Sequence, residues 1–289
     1  MNLWIVLNVV IQGVLTGLMY GLMALGLSVI FGVVRVVNFA HGEFAVVAMY
    51  ATYLMFVGLG LDPLISLLPI AIAFFAVGYI LQVTLVNRFV GRSEHEQFIL
   101  LVGLAMIIVN GLLMIFGPDA RPTNLPYSLD SFEIGPLFID TARVYAAVAA
   151  LVVSAALFAF FRYSATGTAI RACADNLVGA GVVGLNVKRL YAVTFGIGLA
   201  CVGAAGSLLV TIADASPSLA QSFTLLAFTI VIIGGLGSMT GALVGGVLIG
   251  VSEAMASFFF APSMKSMFSF ALLVAVLVLR PQGLMGRRA

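Results

Sequence analysis

Long apolar runs alternate with short polar breaks along the whole chain. The first run, Leu3 to Val34, ends at Arg35, and the polar stretch VVNFAHGEF follows it. A second apolar helix is expected to about Gly58, a third from Pro63 to about Asn87, and a fourth from Phe98 to Phe116. A fifth runs from Val144 to Phe161, and a sixth from about Leu190 to Ala213. The run from Ser222 to Val251 is too long for one helix and is interrupted by GGLGSMTG, Gly234 to Gly241. A last stretch spans Met264 to Leu279. About 20 apolar residues cross roughly 30 Å of hydrocarbon. The pattern therefore predicts an all-α, polytopic transmembrane helical bundle of eight or nine segments. Broken or re-entrant helices are expected near Gly32–Gly42 and Gly234–Gly241.

Composition agrees. Hydrophobic residues make up 63% of the chain and charged residues only 8%, against roughly 25% charged in a soluble domain. The 31 glycines suit close helix packing, and Gly13, Gly17, Gly21 and Gly26 mark one small-residue face of the first helix. Residues 1–289 read as one membrane domain, and the N-terminal run as a membrane helix rather than a cleaved signal. Cys173 and Cys201 offer no disulfide framework and read as packing residues.

Charge gives direction. Alternating crossings put Arg35, Arg88, Arg92, Arg162, Arg171, Lys188, Arg189, Arg280, Arg287 and Arg288 on one side. Arg121, Arg143 and Lys265 remain on the other. By the positive-inside rule the N-terminus lies outside and the C-terminus in the cytoplasm. Two long polar loops follow from this. Residues 117–143, with four prolines, face outward without a continuous helix, and residues 163–189 face the cytoplasm.

Enzyme signatures are missing: there is no HExxH, no paired-cysteine metal spacing, no P-loop lysine and no GxSxG elbow. No catalytic, cofactor-binding or metal-ligating residue is singled out. Asn38, His41 and Glu43 have two readings. They line a translocation path or gate, since polar groups in membrane segments face cavities. Alternatively they start a helix, Asn38 capping it and Glu43 favouring its first turn, which leaves His41 unexplained. Gly234, Gly235 and Gly237 read as a cavity-lining break or as a plain turn. Asn110 is either interhelical glue or a substrate contact, and Glu253 either snorkels or faces the path. VIFG…HGEFAVVA and VIIG…TGALVGGV read as a repeated broken-helix unit or as chance similarity of glycine-rich helices. The loop Thr166 to Lys188 predicts a short helix from about Thr168 to Val183. It carries Arg171, Asp175, Asn176, Gly184, Asn186 and Lys188, and reads as a partner-docking knob or as a solvated loop.

GTAIRACADN, eight residues, GLNVKR and then YAVTFGIGLACVGAAGSL resemble the coupling region of LivH-type permeases of branched-chain amino acid ABC transporters. GLMYGLMALGLSVIFGVVRVVNFAHGEF, TIVIIGGLGSMTGALVGGVLIG and LRPQGLMG extend the resemblance over essentially the whole chain. It implies an ATP-driven importer of branched-chain or other small aliphatic amino acids in the bacterial inner membrane. The implied partners are a second, different permease, two ATPase subunits holding ATP and magnesium, and a periplasmic substrate-binding protein. It also implies that Arg171, Asp175, Asn176, Gly184 and Asn186, with Lys188 beside them, dock on the ATPase. Gly179 and Gly181 stand where the family more often has helix formers, at about 1 kcal/mol each relative to alanine, so a coupling helix that is shortened, or ordered only on the partner, is expected. The alternative class is a secondary transporter or channel for small polar solutes such as urea or amides, working without an ATPase.

Overall fold

The computed structural model describes residues 3–286; Arg287 and Arg288 of the charge argument lie outside them. Among these residues the apolar runs become nine helices. They are α1 (Leu3–Val34), α2 (His41–Leu59), α3 (Pro63–Thr84), α4 (Glu94–Phe116) and α5 (Thr141–Tyr163). After two short helices, α6 (Ala165–Asp175) and α7 (Leu177–Val182), come α8 (Val187–Leu209), α9 (Leu219–Gly234), α10 (Met239–Phe259) and α11 (Lys265–Leu279). Eight are long and apolar enough to cross a membrane, and α9 is the shorter exception. Both expected segment numbers thus describe the same bundle.

α1 and α8 form its centre and bury most of their length, whereas α4 and α11 lie at the surface. The glycine face of α1 explains the closest contact. A Cβ at Gly17 would come within 2.6 Å of the Gly246 carbonyl oxygen, so the backbones of α1 and α10 touch. Gly26 meets Gly198 of α8 in the same way. Small residues substitute here for a hydrophobic driving force that lipid does not supply.

The outer part of the 117–143 loop forms a two-stranded hairpin, β1 (Ser131–Ile134) and β2 (Leu137–Asp140), with Ile134 paired to Leu137 across the turn. Gly135 supplies its positive φ of 61°. Arg143 donates to Gln12 Oε1 at 3.1 Å, which joins this hairpin end of the bundle to the start of α1. Tyr127 donates to Asp62 Oδ2 at 2.8 Å. Burial, then the Asp62 carboxylate, holds that phenol above its usual range. At the opposite end stand α6, α7, the α9–α10 turn and the tail after α11.

The one helix expected from Thr168 to Val183 is two. Asn176 is extended (φ −147°, ψ 99°) and its Oδ1 accepts the Gly179 N–H at 2.9 Å, ending α6 and capping α7. An Asn followed by two glycines favours such a break over a continuous helix. α7 stops at Val182, and Gly184, with φ of 84°, completes the turn.

Candidate functional site

Arg35 ends α1 in the left-handed region, with φ of 56°, the one non-glycine to do so among the described residues. Over residues 35–38 the chain has no regular secondary structure and turns back into the bundle, with Val36 and Asn38 buried. His41, the first residue of α2, has its Nε2 2.9 Å from the Met23 carbonyl oxygen. Met23 lies eleven residues before the end of α1, roughly 16 Å along the helix at ~1.5 Å per residue. α2 therefore begins deep inside the bundle. The break expected near Gly32–Gly42 is a re-entrant segment.

α9 begins beside it. The Gly42 N–H donates to Thr224 Oγ1 at 2.8 Å, and that hydroxyl donates to Glu43 Oε2 at 2.7 Å. Gly42 is required here, because a Cβ would fall on the Thr224 amide nitrogen. Two helices thus start side by side in the interior and run to opposite ends. Asn38, His41 and Glu43 are all buried, Asn38 and His41 completely. Asn38 Oδ1 accepts the Ala40 N–H at 3.1 Å, so it braces the turn before α2 rather than capping the helix, whose first turn holds Glu43 as expected.

A cavity of about 1480 Å³ opens below this cluster. It exceeds the ~300–1,000 Å³ of a fitted ligand pocket and is a vestibule. Its inner wall holds Ser28, Phe31, Val37, Phe39, Phe98 and Phe228. Phe39 packs edge-on to Phe98 with ring centres 4.6 Å apart, and its ring centre lies 5.1 Å from that of Phe228. The mouth holds Arg35, Glu94, His95, Arg171, Asp175 and Thr240. The residues flanking Asn38 line the cavity, while Asn38, His41 and Glu43 stand behind its wall.

The glycine break is a four-residue turn at the mouth. Gly237 lines the cavity and faces Gly32 of α1. Gly234 and Gly235 are buried instead, beneath the tail: the N–H groups of Leu284 and Met285 donate to the carbonyls of Ile233 and Gly234 at 2.8 and 3.0 Å. The tail thereby satisfies two carbonyls that end α9.

Among the six residues singled out in the 163–189 loop, Arg171 and Asp175 join the cavity mouth, and Asn176, Gly184, Asn186 and Lys188 do not. All six are exposed. Asn176 and Asn186 are N-caps of α7 and α8, Asn186 Oδ1 accepting the Arg189 N–H at 3.1 Å. Sequence reasoning overlooked the apolar side chains between them. Val178, Val182 and Val183 are 77%, 83% and 75% exposed at a polar end of the molecule.

Two further expectations are corrected. Asn110 donates to its own helix at the Met106 carbonyl, 2.7 Å away, and lies on the exposed surface, so within this chain it glues no helix pair. Glu253 neither snorkels nor lines the cavity: its Oε1 accepts from Ser269 Oγ at 3.1 Å, holding α11 by the one residue α11 buries. Thr224 and Phe39 were missed because nothing in SFTLLAF or VVNFAH separates them from ordinary helix and loop residues.

Residues 9–277 match the family model described as branched-chain amino acid transport system / permease component. The high-affinity branched-chain amino acid transport system permease protein LivH of Salmonella typhimurium is 31% identical over 96% of this chain and 94% of its own. Its counterpart BraD of Pseudomonas aeruginosa is 30% identical over 97% and 96%. A probable LivH of Methanocaldococcus jannaschii is 27% identical over 92% and 88%. No solved structure matches the chain. Relatives that are permeases and helices of this length and apolarity make it a multi-pass membrane protein, and the chain belongs to the family of branched-chain amino acid transport permeases.

Proposed function

We propose that the chain is one of two different permeases in an ATP-driven importer that carries branched-chain or other small aliphatic amino acids across the bacterial inner membrane. A periplasmic binding protein delivers the substrate, and two ATPase subunits bind ATP with magnesium and supply the drive. The N-terminus lies outside, and the Arg171 end faces the cytoplasm, as the excess of basic residues there favours. In this orientation the vestibule opens inward.

The observation that carries the reading is the double role of the 163–189 loop. α6 brings Arg171 and Asp175 to the cavity mouth, and α7, directly after it, turns bare valines outward. Exposed apolar side chains at an aqueous face mark a protein contact. A knob that touches the ATPase on one side and walls the vestibule on the other transmits closure of the ATPase pair to the path. Asn176, Gly184 and Asn186 shape the knob, and Lys188 and Arg189 frame it with charge. Asn38, His41 and Glu43 stand at the inner end of the path, and the Gly234–Gly237 turn forms part of its cytoplasmic mouth.

A mild-detergent pull-down of the tagged chain from its native membrane tests this. ATPase subunits and a second permease are expected, and Arg171→Glu is expected to reduce ATPase recovery and uptake together while membrane insertion persists. Recovery of the chain alone, with uptake intact in vesicles lacking ATP, would overturn the importer reading.

A further inference from the structure

We infer that the start of α2 is the site that reads the zwitterionic head group of the transported amino acid, with Asn38 taking the carboxylate and His41 the ammonium. This rests on the importer reading above and names the residues that touch its substrate. Two buried side chains carry it. Asn38 uses Oδ1 on the Ala40 N–H, which fixes the other end of the amide as Nδ2, a donor. That Nδ2 has no partner among the described residues, although Asn38 is completely buried. His41 faces the Met23 carbonyl with Nε2. A carbonyl only accepts, so Nε2 carries the hydrogen, and in the neutral imidazole Nδ1 is left as an acceptor. Nδ1 is likewise without a partner among the described residues.

Leaving a buried polar atom unmade is expensive, and here one donor and one acceptor are left three residues apart at one helix start. An α-amino acid offers their complement, a carboxylate that accepts and an ammonium that donates. The fields agree. The start of a 19-residue helix is electropositive and favours a carboxylate, while the Glu43 carboxylate, held by Thr224, favours the ammonium. Helices that begin inside a bundle with their N-termini at the substrate are a recurring transporter device. Val37 and Phe39 flank Asn38 and line the vestibule, Phe39 wedged against Phe98 and Phe228. Phe39 is therefore the gate between head-group site and vestibule, and the ring of phenylalanines beyond it suits an apolar side chain.

Isosteric changes test the assignment in the full complex, reconstituted in proteoliposomes and supplied with binding protein and radiolabelled leucine. Asn38→Asp keeps the acceptor for Ala40 but replaces the donor with an oxygen that repels a carboxylate. His41→Gln keeps a donor for Met23 but moves its one acceptor away from the position of Nδ1. Each is expected to lower leucine uptake at least tenfold and to abolish the rise in unfolding midpoint that saturating leucine gives the wild-type complex, whatever each does to the midpoint without leucine. Normal uptake in both variants, as when only a buried water meets these atoms, overturns the inference. So does loss of uptake with the leucine-dependent rise in midpoint intact, which assigns the pair to structure or coupling. The wild-type complex separates the two levels: if its leucine uptake needs no ATP the importer reading falls, and if it does need ATP while both variants transport normally, only the head-group site falls.

Discussion

Thr224 shows how much a single hydroxyl holds in this molecule. It accepts from Gly42 N–H and donates to Glu43, so it satisfies the start of α2 and a buried carboxylate at once. Thr224→Val preserves shape and strands both groups. A buried polar group left unmatched costs about 1–3 kcal/mol, and a destabilisation in that range is expected in detergent, read from denaturant or thermal unfolding. Thr224→Ser, which keeps the hydroxyl, should recover most of it. Little of this was legible in the sequence. The cluster Asn38, His41, Glu43 stood out because polar residues are rare in apolar runs, and Glu43 was correctly expected in a first helical turn. Thr224 did not stand out, because a helical threonine ordinarily bonds the carbonyl four residues back, as Thr229 does with Leu225. Its partner lies 181 residues away in sequence, and no local pattern encodes that distance.

Elements were far more legible than contacts, since hydrophobic length is set by the bilayer. α1 and the α9–α10 break fall where the apolar pattern puts them, and the other long helices begin and end within about four residues of it, except that α10 continues past the expected Val251 to Phe259. The glycine face of α1 was legible as a face, but not that its upper part serves α10 and Gly26 serves α8. Gly17→Leu tests that division. The added side chain meets backbone, which cannot move aside, so the loss should exceed the ~1–3 kcal/mol of ordinary overpacking. The expected result is a chain that aggregates on size-exclusion chromatography, whereas Gly103→Leu, with open space around it, should elute normally. Two elements went unread. The hairpin was masked by the prolines around it, although SFEI, GP and LFID carry the strand–turn–strand composition. The single helix expected at Thr168–Val183 ignored Asn176 as a capping residue inside an otherwise helical stretch.

At the scale of the whole molecule, the pieces that sequence reading treated separately form one machine part. The vestibule takes its wall from α1, the segment before α2, α4, α5, α6, α9, the α9–α10 turn, α10 and the tail, and no single stretch announces it. α1 lies on α10 and α2 on α9, with Gly32 facing Gly237. The two broken-helix units are thus packed against each other, the arrangement a repeated pair would make. A change at the α6–α7 knob reaches this wall directly, and the proposed inward-facing state follows from the side on which the vestibule opens. Thr240→Cys tests both claims. Thr240 is exposed and lines the mouth, whereas Cys173 and Cys201 are buried. Burial also raises the Cys173 thiol above its ordinary pKa, which leaves less reactive thiolate, so the native background should be low. In the nucleotide-free complex a membrane-impermeant maleimide should label Thr240→Cys in inside-out vesicles and not in right-side-out ones. Locking the ATPases closed with ATP and vanadate should slow labelling at least tenfold, because closure transmitted through α6 narrows the mouth. Equal labelling from the outer face would reverse the orientation, and a rate indifferent to nucleotide would detach the knob from the vestibule.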